Sequence, residues 1–299
     1  MDFRRRFPAP GHMVNVGGHR LHYQVRGDGP GPTVVVETGR MNPSSFWLNV
    51  QEELARVSRV VTYDRAGYGW SDPAPSDRSG QHVVNDLHTL LHKAEVPGPY
   101  LLVGHSLGGM YARLFAERFP NEVAGLVLID PYTEGEVRGQ SPEMKRSQAR
   151  FVRVAEVLAR MGVVRLLIAL VPGITRPVTS ALPLAAGRVI KAQLGSAWLW
   201  QAVAREWAGL NEMVAQLEKQ QGFGGLPLTV VSAGRQEVPD ALWALQKESQ
   251  AALTRLSTRS RLVTVPDCGH GFPLEESGVR AIVDAVGALQ SLQIGNATI

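Results

Sequence analysis

Apolar positions along this chain fall into two alternating patterns: short unbroken runs, and longer stretches with helical spacing. Met13 to Val16 and Arg20 to Val25 flank Gly17-Gly18 and predict an opening hairpin. Thr33-Val34-Val35-Val36 predicts a buried strand ending at Glu37-Thr38-Gly39, with a helix over 43–56 behind it. Arg59 to Tyr63 predicts the next strand, ending in Asp64-Arg65-Ala66-Gly67-Tyr68-Gly69-Trp70-Ser71, and a helix over 81–95 follows. Leu101-Leu102-Val103 and Val123 to Ile129 are two further apolar strands, the second ending in Asp130-Pro131. Such alternation predicts an α/β fold, a mostly parallel, doubly wound sheet covered on both faces. Ligands of such sheets bind at the carboxyl ends of strands, where Thr38, Asp64, Ser106 and Asp130 lie.

The alternation breaks between residues 132 and 224. Helical spacing runs through 143–161, 163–171, 177–195 and 197–221, with no strand pattern. It then resumes with strands over 226–233 and 261–265 and helices over 239–256 and 275–292. The expected organisation is a core of residues 1–131 and 225–299 with an inserted all-helical cap, 132–224, over the carboxyl edge. Trp198, Trp200, Trp207, Leu210 and Met213 either line an apolar pocket there or glue the insertion to the core; both readings stay open.

The chemistry concentrates in Tyr100 to Pro120, YLLVGHSLGGMYARLFAERFP. Gly104-His105-Ser106-Leu107-Gly108 is a G-x-S-x-G motif between a predicted strand and a predicted helix, the context that gives the motif meaning. A strand turning at once into a helix crowds the neighbours of its apex residue, which is why side-chain-free positions flank Ser106, the candidate nucleophile. The helix start also directs free N–H groups at that point, so the Leu107 N–H is a candidate oxyanion donor. A serine hydroxyl needs a base, and the base an orienting acid. Among eight histidines, His270 stands in a glycine-flanked loop just past the last strand and is the base candidate. His105 lies inside the turn and is expected to point away from substrate. His88 and His92 are four apart, but Thr89 replaces the glutamate a zinc protease requires, so they read as surface residues.

Composition adjusts this picture only slightly. The 299 residues carry a net charge of +4, which raises nucleic acid as a partner. The basic residues are scattered, however, and the tightest cluster, Arg4-Arg5-Arg6, sits near the terminus, so no nucleic-acid partner is expected. Cys268 is the only cysteine, which excludes an internal disulfide and gives no metal spacing. The first residues lack a secretory apolar core, and the greasiest run, Met161 to Pro172, is too short to span a bilayer and contains Arg165. A cytoplasmic protein without a membrane span is expected.

Taken together, GHSLGG at Gly104 to Gly109, Glu37-Thr38-Gly39, DRAGYGWSD from Asp64 to Asp72 and Gly269-His270 resemble the α/β-hydrolase fold superfamily over nearly the whole chain. The resemblance implies a carboxylic ester hydrolase with a Ser-His-acid triad and a cap, needing no metal or organic cofactor, while the apolar composition of the insertion points to a small to medium, largely apolar ester as substrate. It assigns the second oxyanion donor to the backbone of Arg40, with Met41 the lesser match, and places Thr38 where relatives carry histidine. For the acid it leaves two places open. Glu237 occupies the slot after the strand over 226–233, and Asp130 the end of the preceding strand; Asp240 and Asp267 are weaker choices. Ser106 argues against relatives with an aspartate nucleophile. The rival readings are an acyltransferase or cofactor-free perhydrolase on the same triad, and a non-catalytic small-molecule receptor.

Overall fold

The computed structural model describes residues 3–75 and 78–297. Its eight strands are β1 (His12–Asn15), β2 (Arg20–Arg26), β3 (Thr33–Glu37), β4 (Val60–Tyr63), β5 (Tyr100–His105), β6 (Val123–Ile129), β7 (Leu228–Ala233) and β8 (Ser260–Val265). They form one sheet in the order β1-β2-β4-β3-β5-β6-β7-β8. β1 and β2 pair antiparallel and β2 runs antiparallel to β4, whereas every pairing from β4 to β8 is parallel. The α/β expectation therefore holds, with the predicted hairpin at one edge.

Alternation of side chains along the central strands splits the core into two layers. Val35, Leu102 and Leu126 pack on α2 (Gly80–Lys93) and α3 (Leu107–Arg118) through Leu87, Leu90, Met110 and Phe115. Val34, Val36, Leu101, Val103 and Val127 face α1 (Leu48–Leu54) and α11 (Glu276–Ala297) through Val50, Leu54, Ile282 and Val286. At roughly 1.5–3 kcal/mol per fully buried large side chain, these two layers dominate the stabilisation of the sheet.

Between β6 and β7 the chain is helical: α4 (Glu134–Gly139), α5 (Pro142–Arg160), α6 (Val163–Leu170), α7 (Arg176–Thr179), α8 (Leu184–Leu194) and α9 (Ala197–Leu217). α10 (Asp240–Ala252) joins β7 to β8. Three details depart from the periodicity. The helix expected over 43–56 opens as a 3-10 turn, Ser44–Trp47, before α1. The helix expected over 177–195 is divided, because Pro183 in an extended conformation caps α8 and cannot continue α7. The short helix α4 was not expected at all, yet Thr133 and Glu136 form a capping box, a T-x-x-E signal present in the sequence.

Candidate active site

Ser106 sits between β5 and α3 with φ 53° and ψ −124°, a conformation costly for a residue with a Cβ, on the order of 1–3 kcal/mol. Its neighbours show why the turn needs its glycines. A Cβ on Gly104 would lie 2.7 Å from the Gly108 carbonyl oxygen, and one on Gly108 would lie 2.1 Å from the Glu37 carbonyl oxygen. The Ser106 N–H donates to Ile129 O, and Ser106 O accepts from Tyr132 N, which ties the elbow to β6 and to the loop leaving it.

The imidazole of His270 bridges two groups. Its Nε2 lies 3.0 Å from Ser106 Oγ, and its Nδ1 lies 2.6 Å from Asp130 Oδ2. Asp130 is buried and takes further bonds from the Ala233 N–H at 3.1 Å and Gln250 Nε2 at 2.9 Å. Burial works against its ionisation, but the His270 bond and charge and these donors outweigh it and hold the carboxyl below its ordinary range. For His270 the balance has the opposite direction. Burial favours the neutral ring, while the bond to Asp130 and its charge prevail and raise the imidazole above the ordinary 6.5.

Glu237, the other acid the sequence left open, does not reach the ring. Its carboxylate accepts the backbone N–H of His270 at 3.1 Å and pairs with Arg235 at 3.0 Å, so it braces the loop rather than the imidazole. The reason is reach: β6 ends directly beside β5, whereas the loop after β7 carries Glu237 outward to a half-exposed position. Asp240 instead starts α10 and accepts from Gln236, and it is the Asp267 carbonyl that takes a bond from Arg235. His105 turns under the elbow, where its Nε2 contacts the His270 carbonyl at 2.9 Å. Since a carbonyl only accepts, Nε2 carries the proton. Burial and the neighbouring His270 push this ring down to about 3, so it stays neutral.

Arg40 and Leu107 line the same cavity of about 450 Å³ as Ser106 and His270. Neither the Arg40 nor the Leu107 N–H has a hydrogen-bond acceptor among the described residues, whereas the Met41 N–H is engaged by Tyr68 Oη at 3.2 Å. The Arg40 guanidinium stacks 4.5 Å from the Trp207 ring, and its Nε is buried without a partner.

The loop that carries Arg40 is held from beneath by the DRAGYG run, a role not legible in the sequence. Buried Arg65 donates to Glu37 at 2.7 Å, Thr38 O at 2.6 Å, Gly39 O at 2.9 Å and, across on α9, Glu206 at 2.8 Å. Tyr68 donates to the same Glu206 at 2.6 Å. Burial raises Glu37 despite Arg65; at Glu206 burial is outweighed by Arg65 and Arg78, which hold it ionised. Asp64 has the structural task expected of a turn carboxylate: it accepts from His22 at 2.8 Å, Ser44 N at 2.7 Å and Trp70 N at 3.1 Å.

The insertion contributes differently from the aromatic lining considered in the sequence. Tyr132, Glu136, Gln140 and Gln148 face the cavity, but Trp198, Trp200, Leu210 and Met213 do not. Leu210 and Met213 belong to the core beneath α9, and Trp200 packs on Ala155 and Ala159 of α5. Glu136, missed by the sequence reading, is pushed up to about 7, chiefly by burial. Away from the site, His88, His92 and Glu122 bring potential metal-binding atoms within 4.8 Å of one another, and each ring already bonds to Glu122.

A sheet of this order, with a strained serine at the turn after β5 and a histidine loop after β8, defines the α/β-hydrolase architecture. Residues 29–285 match the alpha/beta hydrolase family, and the chain belongs to it. An uncharacterized protein of Schizosaccharomyces pombe is 27% identical over 94% of this chain and 56% of its own length. The uncharacterized protein YqjL of Bacillus subtilis is 34% identical over 39% of this chain and 46% of its own length. The chain thus spans about half the length of these curated relatives. Among solved structures, a thermophilic esterase from Thermogutta terrifontis superposes with a TM-score of 0.69 at 24% identity, covering 94% of this chain and all (100%) of that one. The Cif epoxide hydrolase from Acinetobacter nosocomialis gives 0.73 at 14% identity, over 93% and 88%. Likeness at this level establishes the fold. Among the described residues no helix is long and apolar enough to cross a membrane.

Proposed function

We propose that the protein is a serine hydrolase that cleaves a carboxylic ester through an acyl-enzyme, with Ser106 as nucleophile, His270 as base and Asp130 as orienting acid. The observation that carries this reading is the chain of contacts from Ser106 Oγ to His270 Nε2 and from Nδ1 to Asp130. The imidazole accepts the serine proton as the hydroxyl attacks the ester carbonyl, and Asp130 stabilises the imidazolium that forms. The N–H groups of Leu107 and Arg40 hold the oxyanion. The protonated His270 then delivers its proton to the leaving alcohol, and water enters by the same base to release the acid. Ester chemistry is supported by the esterase and the enol-lactonase among the structural neighbours, while Ser106 in place of a carboxylate argues against the chemistry of the epoxide hydrolases there. Residues 132–224 act as the cap, with Tyr132, Glu136, Gln140 and Gln148 forming the cavity wall. This lining, with the buried, unpartnered Nε of Arg40, fits an ester bearing a polar group better than a purely alkyl one.

The test is turnover of p-nitrophenyl esters from acetate to decanoate by wild type and Ser106→Ala. Wild type is expected to hydrolyse the shorter esters, and the variant to lose at least about 10⁴-fold in kcat. A folded wild type inert on the whole series would overturn the general esterase reading and favour an acyltransferase or a receptor.

A further inference from the structure

The outer surface of the insertion is apolar where solvent-facing helices are normally polar. Of the sixteen large apolar side chains exposed over the described residues, ten fall between residues 151 and 184. On α5, Phe151, Val154, Val157 and Met161 recur at spacings of three, three and four and form one stripe, with Met161 72% exposed. The opposite face of the same helix, through Val152, Ala155 and Ala159, is buried. α6, which follows after Gly162, is equally bare: its sequence is VVRLLIAL, yet only Ile168 is buried, and Leu166 and Leu170 are 57% and 69% exposed. A concentration of this kind exceeds the scattered apolar exposure of ordinary surfaces and marks a contact face.

Charge identifies what it contacts. Between residues 143 and 191 the sequence holds nine Lys and Arg and two Glu, a net of +7, so the rest of the chain nets −3 within its total of +4. No acidic residue occurs between Glu156 and Glu206. Arg150 and Arg153 on α5, and Arg176 on α7, are exposed with no ion-pair partner among the described residues. A second copy presenting the same basic segment would be repelled, whereas a negatively charged apolar medium suits both features at once. Interfacial helices have this composition, an apolar face bordered by basic side chains that reach the headgroups.

We propose that the α5–α6 surface docks this protein onto an anionic phospholipid bilayer, with Leu166, Leu167 and Leu170 entering the acyl boundary and the flanking arginines meeting the headgroup phosphates. The protein would lie on the membrane rather than cross it. α5 also supplies Gln148 to the catalytic cavity, so the docked face and the cavity wall share one helix. The docking stands on its own observations and does not depend on which ester, if any, the site cleaves.

Vesicle flotation tests it, with phosphatidylcholine alone and phosphatidylcholine mixed with phosphatidylglycerol. Wild type is expected to float with the anionic vesicles, to leave them at high salt, and to ignore the neutral ones. Leu166→Asp with Leu170→Asp, and separately Arg150→Glu with Arg153→Glu, should each lower partitioning by about tenfold or more. Circular dichroism and thermal melting of the variants, whose substituted side chains are exposed, report that the fold is kept. Absence of wild-type binding to anionic vesicles at low salt sinks the proposal, as does binding that both variants retain. Concentration-dependent dimerisation in light scattering that Leu166→Asp with Leu170→Asp abolishes would assign the face to a second copy instead.

Discussion

The carboxyl edge of the sheet and the outer face of α5 and α6 are opposites built from neighbouring segments. At the sheet edge the polar groups with demanding chemistry are held by named partners: Asp130 by His270, Ala233 and Gln250, Arg65 by two carboxylates and two carbonyls, His270 at both ring nitrogens and at its backbone N–H. On the outer face of α5 and α6, large apolar side chains stand mostly in solvent, and Phe151 alone is seen to meet an inner ring, edge-on at Trp200. The contrast separates two uses of a surface. A site that must present reacting atoms within tenths of an ångström needs its groups over-determined, since unpaired buried charge is costly and loose geometry loses rate. A face that meets a fluid partner needs area and charge, not register.

Substitution can break this contrast from either side. Beyond the nucleophile itself, the largest effect is expected at the acid. Asp130→Asn should reduce kcat by about 10³–10⁴-fold, because the imidazole loses the acceptor that sets its tautomer, while Glu237→Gln, which keeps an oxygen for the His270 N–H, should cost less than about tenfold. Steady-state kinetics on one ester decides it, and the reverse order of effects would return the acid to the β7 loop. Next comes Glu206→Ala, which removes one of the two carboxylates on the buried Arg65 guanidinium together with the acceptor of Tyr68, and should destabilise by about 2–3 kcal/mol in urea unfolding. A loss below about 1 kcal/mol would show that α9 is not welded to the loop carrying Arg40 through this pair.

A smaller effect is expected with pH. The base must be neutral to accept a proton, and His270 is raised above 6.5, so kcat/KM should rise with pH along a limb whose midpoint lies above that value. In the residual activity of Asp130→Asn the limb should move to lower pH, since the group that raises the imidazole is gone. Glu136, pushed up to about 7 by burial, adds a lesser charge that raises the imidazole, so Glu136→Gln should shift the limb slightly to lower pH and keep it. Disappearance of the limb in Glu136→Gln would transfer it to that carboxyl.

Much of the frame was legible from pattern alone. Strand after strand of β-branched residues between helical stretches predicted the parallel sheet, because backbone pairing leaves side chains alternating into two apolar layers that only covering helices can bury. Ser106 and His270 were legible as candidates because each is flanked by glycines that permit a close backbone turn. Local spacing, however, holds no information on distances between loops. Glu237 and Asp130 could not be ranked along the chain; the adjacency of β5 and β6, and the outward path after β7, placed one carboxylate at the ring and the other at the backbone. Likewise Arg65 read as part of a turn, while its role arises from bringing Glu37 and Glu206, far apart in sequence, to one buried guanidinium. The helical periodicity of 132–224 stated that helices form, but which face each one buries depends on neighbours: α9 turned its apolar side into the core, and α5 and α6 were left with theirs outward. Sequence determined the elements and the candidate residues, since those follow from local sterics and hydrophobic period. The partner of each charge, the lining of the cavity and the exposed stripe were decided by long-range packing.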